Sequence, residues 1–392
     1  MAFIQMITGW AGYLVLLLIT VAFIAFACYL LYIKHIHRKF GHIPGPPRNK
    51  IMDPAFSSVY LRGLMTTFNE RAEHLMTKLD EYVDSQTPAH MHKLVTSFTL
   101  DVITKVAFGV DLDLLNISDS PFPRAIELCL KGMVLYIRDP FFEVRSAQFL
   151  RETGAIWINE RKKAVQNGED VPMDILTQIL KSAEENKDDN DEETMLDNFV
   201  TFFIAGQETT ANQISFAIME LGRHPEILLR LKEEVDEVLG VKQEISYEDL
   251  GNLTYLTQVL KETLRLYPTA PGTSRWLAKE TVINGIKVPA GCGIMLSSYV
   301  SSRMDKFFKD PLTFDPERFH LNAPKPYFCY YPFALGPRSC LGQNFSQMEA
   351  KVALAKLLQR FDFTLVPGQS FDILDTGSLR PESGPLTNSV SQ

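Results

Sequence analysis

From Trp10 to Ile33 the chain runs for twenty-four residues without a charged side chain. As a helix that stretch is about 36 Å long, more than the hydrocarbon core of a bilayer requires. The few residues ahead of it could not bury it in a protein core, so it reads as a membrane anchor. A secretory signal would carry its positive charges before a shorter apolar run, whereas here Lys34, His35, His37, Arg38 and Lys39 follow it. By the positive-inside rule the rest of the chain then faces the cytosol. The prolines of HIPGPPR, His42 to Arg48, hold an extended, stiff spacer. The expected organisation is an anchor and basic stop at 1–41, a proline-rich hinge at 42–54 and one large domain at 55–392.

The large domain is helical in its periodicity. Leu61, Leu64, Met65, Phe68, Ala72, Leu75, Met76 and Leu79 recur at spacings of three and four, and further helices are expected around 91–109, 122–135, 145–165 and 172–184. The run EENKDDNDEE, Glu184 to Glu193, reads as a solvated loop. A long apolar pattern from Met195 to Gly222 stops at His224 and Pro225. Helices at Glu226–Leu239 and Tyr255–Tyr267 follow. Between Ser274 and Ser302 the texture changes to short β-like runs, TVING and IKVPAG, joined by glycine turns, and residues 341–361 return to helix. The fold class is mainly α with a minor β-sheet part. With 46% apolar residues the core is ample, and the interspersed net charge of -8 lacks the basic face that a nucleic acid would need. Five cysteines without C-x-x-C spacing suggest neither a disulfide framework nor a zinc site.

One of those cysteines stands out, in FALGPRSCLGQNF, Phe333 to Phe345. Cys340 lies between turn residues and a helix start, where free backbone N–H groups and the helix dipole should lower a thiol pKa. Such a sulfur is a nucleophile or a metal ligand. A phosphatase-type loop would place an arginine six residues on, where Ser346 stands, and zinc would need more ligands nearby. A single axial metal–thiolate bond suits the surroundings better: Gly336 and Gly342 permit close backbone approach, Phe333 offers an apolar cover, and Arg338 a fixed cation for an anionic cofactor edge. Haem fits all of these.

The pattern Phe333-x-x-Gly336-x-Arg338-x-Cys340-x-Gly342 resembles the signature of the cytochrome P-450 haem-thiolate monooxygenases. ETLR, Glu262 to Arg265, resembles the family's E-x-x-R, and PERF, Pro316 to Phe319, the segment whose Arg318 completes that ion-pair network. AGQETT, Ala205 to Thr210, resembles the oxygen-activation motif on the family's long central helix. The resemblance implies haem b ligated by Cys340, Arg338 and Arg275 on its propionates, and Thr209 and Glu208 delivering protons, through water, to the oxygen being activated. It also implies electrons from an NADPH-dependent flavoprotein reductase and residence in the endoplasmic reticulum membrane, single-pass, with the catalytic domain cytosolic. Longer segments such as LDNFVTFFIAGQETTAN and APKPYFCYYPFALGPRSCLGQ resemble the cholesterol 24-hydroxylase subfamily, which implies a sterol hydroxylated on its side chain. Phe199, Phe203, Ala205, Ala270 and Thr273 are then either substrate-pocket lining or ordinary packing.

One departure from the family pattern is large. After the hinge the resemblance skips about a hundred residues, a lobe's worth at ordinary domain sizes, and with it the W-x-x-x-R whose polar groups bind a haem propionate. The one W-x-x-x-R present, Trp157 to Arg161, falls in a stretch that matches a later helix. Two readings stand: a membrane-anchored monooxygenase, or a haem-poor, inert relative that binds at most a lipid or a partner.

Overall fold

A computed structural model describes residues 56–117, 119–135, 144–186, 192–324 and 328–391, together with Thr20. Apart from Thr20, the proposed anchor, its basic stop and the hinge lie outside the described residues, as does the middle of the acidic run. Among the described residues no helix is long and apolar enough to cross a membrane. The chain divides into two units, residues 1–48 and 49–392.

The second unit opens with helices α1 (Ser58–Gly63) and α2 (Met65–Asp84), then the short strand β1 (Ala89–His90) and α3 (Met91–Phe108). Helices α4 (Phe122–Leu135), α5 (Val144–Gln166) and α6 (Ile175–Asn186) lead to α7 (Glu192–Arg223), the 32-residue helix of the core. It ends where the sequence stops it, before His224 and the Pro225 that starts α8 (Pro225–Leu239). Helices α9 (Tyr247–Asn252) and α10 (Thr254–Leu266) follow, and after the β region comes α12 (Gln343–Arg360), with the single turn α11 (Ser298–Ser301) before it.

The core is a stack of α2, α3, α7 and α12. Phe68 of α2 meets Phe345 of α12 edge to face at 5.2 Å between centroids. Helices α3 and α7 approach closely because Gly206 has no side chain: a Cβ there would sit 2.7 Å from Ile103 Cγ1. The cost of a glycine inside a helix is offset here by interhelical packing.

The β part is small and antiparallel. β6 (Phe361–Leu365) and β1 flank β9 (Leu386–Ser391), while β7 (Ile373–Asp375) pairs with β8 (Leu379–Pro381). β2 (Gly272–Trp276) pairs with β5 (Gly293–Ser297), and β3 (Thr281–Ile283) with β4 (Ile286–Val288). These last two pairs stand open. Trp276 is 78% exposed and Met295 67%, apolar surface of the kind a further strand or lobe covers.

Asp101, on the inward face of α3, carries a testable consequence. Both its carboxylate oxygens accept the Leu114 N–H, at 3.0 and 2.9 Å. Burial nonetheless pushes its pKa from 3.8 up to about 6, against the Leu114 N–H and Arg71. The folded chain therefore holds a proton that the unfolded chain has released, and stability should fall by about 3 kcal/mol as pH climbs from about 4 through about 6. Asp101→Asn keeps an acceptor for Leu114 and should erase that slope in thermal melts across this window. An unchanged slope would assign it to other groups.

Candidate active site

The E-x-x-R pair is built as its spacing suggests. Glu262 and Arg265 sit one turn apart on α10, both fully buried, with Arg265 Nε on Glu262 Oε2 at 2.7 Å and Nη2 on Oε1 at 2.8 Å. The guanidinium also donates to the carbonyls of Ser302 at 2.8 Å, Pro311 at 2.7 Å and Thr313 at 3.0 Å. Glu262 Oε1 accepts the Asp315 N–H at 2.8 Å and Arg318 Nε at 3.3 Å. Arg318 in turn donates to the Lys309 and Asp310 carbonyls. Two side chains on one helix thus fix the loop from Ser302 to Arg318, which leads into the cysteine segment.

That segment folds around two tight bonds. The Cys340 N–H donates to the Phe333 carbonyl at 2.8 Å and the Ser339 N–H to that of Gly336 at 3.0 Å. Gly336 has φ +75°, which favours glycine whatever the space around it. Cys340 is exposed, three residues before the start of α12. Its thiol pKa departs from the sequence expectation: it is raised, because the protein massed around its inner side disfavours the charge more than the Gly342 N–H, which donates to the sulfur, favours it.

Apart from the Gly342 N–H, the sulfur has no hydrogen-bond partner among the described residues. Gly342 has φ -82°, open to any residue, and a Cβ there would meet only Cys340 Sγ, at 4.0 Å. Without a side chain there, space is left beside the thiol for a group set against it. Leu335 and Leu341 are exposed on either side, an apolar rim suited to a flat ring. Among the described residues no group of three or more His, Cys, Asp or Glu could hold a metal ion, so a metal at Cys340 would take its other ligands from a prosthetic group. The residues present fit haem on the thiolate side. Arg338 is exposed and half-buried Arg275 donates to Thr273 Oγ1 and the Ser274 carbonyl, both at 2.8 Å. Neither has a carboxylate partner among the described residues, as cations reserved for an anionic edge would not.

Helix α12 carries this segment onto α7. Gln347 Nε2 donates to Gln213 Oε1 at 3.0 Å, one turn past Thr209. On α7, Thr209 is half-buried and its hydroxyl bonds back to the Ala205 carbonyl at 2.9 Å, a pattern that loosens a helix locally. Ala205 is exposed on the same face. Glu208, by contrast, is 7% exposed, and its Oε1 accepts Ser378 Oγ at 2.9 Å and Asn212 Nδ2 at 3.2 Å. The carboxylate and the hydroxyl expected to act together are held by different partners.

Phe199 and Phe203 pack against neighbouring rings, and Phe199 also lines a small pocket with Ile158, Leu176 and Met195. Both phenylalanines are buried on the inner face of α7 in an aromatic cluster with Phe108, Phe122 and Trp157, with the Phe108 and Phe199 centroids 4.3 Å apart. Gly154 makes room for the Phe199 ring, which a Cβ would approach to 2.6 Å. Arg161 of the stray W-x-x-x-R is committed to Asp174 at 2.5 Å and the Phe108 carbonyl at 2.9 Å. Ala270 is exposed, its carbonyl accepting Ser298 Oγ at 3.3 Å. Sequence reasoning passed over Glu349 on α12. It is fully buried, neither oxygen has a hydrogen-bond partner within reach among the described residues, and burial pushes its carboxyl well above the carboxylate range against the nearby Thr210 hydroxyl.

The family model described as Cytochrome P450 matches residues 48–387. "Cytochrome P450 4d2" of Drosophila melanogaster is 28% identical over 348 residues, covering 80% of this chain and 69% of that protein. "Cytochrome P450 3A41" of Mus musculus is 29% identical over 340 residues, covering 80% of this chain and 66% of its own. "Cytochrome P450 3A9" of Rattus norvegicus is 30% identical over 370 residues, covering 87% and 73%. The chain spans between 66% and 73% of the length of these three relatives.

Proposed function

The chain belongs to the cytochrome P450 family, and on that premise we propose that it hydroxylates the side chain of a sterol, with electrons from an NADPH-dependent flavoprotein reductase at the endoplasmic reticulum membrane. The class comes with membership: a monooxygenase whose haem iron is ligated by a cysteine thiolate. The observation that carries the site is Cys340 Sγ, exposed beside a glycine that leaves space against it. The sterol rests on the resemblance of the longer segments.

When bound, the haem supplies oxygen activation and one-electron chemistry. Cys340 would hold it, with Arg338 and Arg275 on its acidic edge. The chain's own contribution would be the half-buried Thr209 hydroxyl of α7, which can hold a water and pass its proton on. Thr209→Ala should leave haem binding unchanged yet divert electrons to peroxide, measured as peroxide formed per NADPH consumed. Tight coupling in that variant would make Thr209 a structural residue. The substrate is tested by incubating the haem-supplemented chain with reductase, NADPH and cholesterol, followed by mass spectrometry. A side-chain alcohol supports the sterol reading, and oxidation of other lipids alone would overturn it.

A second reading is favoured by the open face around β2 to β5 and by the length the relatives have beyond this chain. If a lobe is missing between Arg48 and Asp53, one wall of the pocket is open, water reaches the site, and nothing covers the substrate. The purified chain should then carry substoichiometric haem and turn over negligibly, while a chain with that lobe restored recovers both. Stoichiometric haem and robust turnover in the 392-residue chain would show that the present helices suffice.

A further inference from the structure

The donors and acceptors around Glu208 can be ordered. Ser378 Oγ donates to Glu208 Oε1 at 2.9 Å, and Asn212 Nδ2 lies 3.2 Å from both Glu208 Oε1 and Ser378 Oγ. With its amide nitrogen so placed, Asn212 presents Oδ1 to His92 Nε2, at 2.9 Å. His92 Nε2 must then carry the proton. Each donor therefore points along one path, from His92 through Asn212 and Ser378 to Glu208, whose Oε1 accepts from both Asn212 and Ser378. The four residues come from α3, α7 and the turn between β7 and β8, far apart in sequence. The turn is brought in by the chain reversal at Gly377, φ +95°, and the segment after β8 closes on His92, where a Cβ on Gly384 would lie 2.7 Å from His92 Cβ.

We propose that Ser378, Asn212 and His92 are positioning residues that hold Glu208 as a carboxylate against the β7–β8 turn, away from the Thr209 hydroxyl, so that the C-terminal hairpin governs where this acid can reach. The network itself stands on geometry; its relevance to oxygen chemistry rests on the monooxygenase reading. Glu208 is thus first an anchor for the hairpin. Release of the Ser378 bond is what would free it for proton delivery.

Two measurements on the full chain test this without haem, so that their failure is separate from failure of the monooxygenase reading. The first is amide hydrogen exchange across residues 373–381. Ser378→Ala and Glu208→Gln should each speed exchange there roughly tenfold or more, the loss of one charge-assisted hydrogen bond, whereas Ser378→Thr, which keeps the hydroxyl, should stay near wild type. The second is the His92 imidazole, followed by nitrogen-15 NMR and identified through His92→Gln. Burial holds its pKa below the ordinary value, and the charged groups around it are Glu208 on α7, Glu127 on α4 and Arg380 on β8. Loss of the Glu208 charge should lower it by roughly half a unit or more, since a nearby anion favours imidazolium. Glu349→Gln, on a different helix, should leave it in place. Unchanged exchange in Ser378→Ala and Glu208→Gln, or an unmoved His92 titration in Glu208→Gln, would overturn the proposal.

Discussion

Arg265→Ala should cost the protein about 3–5 kcal/mol, the penalty for leaving one partner of a buried ion pair uncompensated. That is a large share of a stability of about 5–15 kcal/mol, so the expected result is little folded protein at 37 °C. The reasoning is geometric. Removal of the guanidinium strips Glu262 of its bidentate partner in a site with no exposure and orphans the carbonyls of Ser302, Pro311 and Thr313. Asp315 N–H and Arg318 remain on Glu262 Oε1, but its Oε2 is left bare. Arg265→Lys should rescue poorly, because an ammonium cannot reproduce a planar fork that serves two carboxylate oxygens and three carbonyls. Folded yield and thermal melting decide it: wild-type values in Arg265→Ala would mean that the loop from Ser302 to Arg318 is held by other contacts.

How much of this was legible in the sequence depended on the range of the interactions. Local signals carried far. The period of three and four marked α2 and the proline at 225 ended α7. The i, i+3 spacing of Glu262 and Arg265 placed both groups on one helix face. Helix α9 went unread although its start is written in Ser246 and Asp249, a reciprocal capping box with Ser246 Oγ accepting the Asp249 N–H at 3.1 Å. Six residues are too few for periodicity to show.

Long-range partners were not legible. Gly206 has the look of an oxygen-site glycine, yet its missing side chain is filled by Ile103, about a hundred positions earlier. Glu208 was paired with its neighbour Thr209 on motif grounds, whereas its partners are Asn212, one turn along α7, and Ser378, 170 positions later, with His92 of α3 behind Asn212. Phe199 and Phe203 gave no sign of which helix face they occupy until the ring cluster around Phe108 was seen. The thiol pKa failed for a related reason. A helix N-terminus can be inferred from flanking residues, whereas the protein massed behind Cys340 cannot.

Cys340→Ser carries the second large effect. The side chain is exposed, and its backbone N–H bond to Phe333 does not involve the sulfur, so the exchange should leave the fold in place. What it removes is a soft sulfur ligand, and a serine hydroxyl is a harder and poorer ligand for iron. Cys292→Ser, in a half-buried turn outside this segment, serves as the control. The measurement is the reduced carbon monoxide difference spectrum of the full chain after haem is added, taken on whatever fraction binds. The thiolate-type band should be present in wild type and Cys292→Ser and absent from folded Cys340→Ser. The same band in Cys340→Ser would contradict the assignment of this cysteine as the haem ligand.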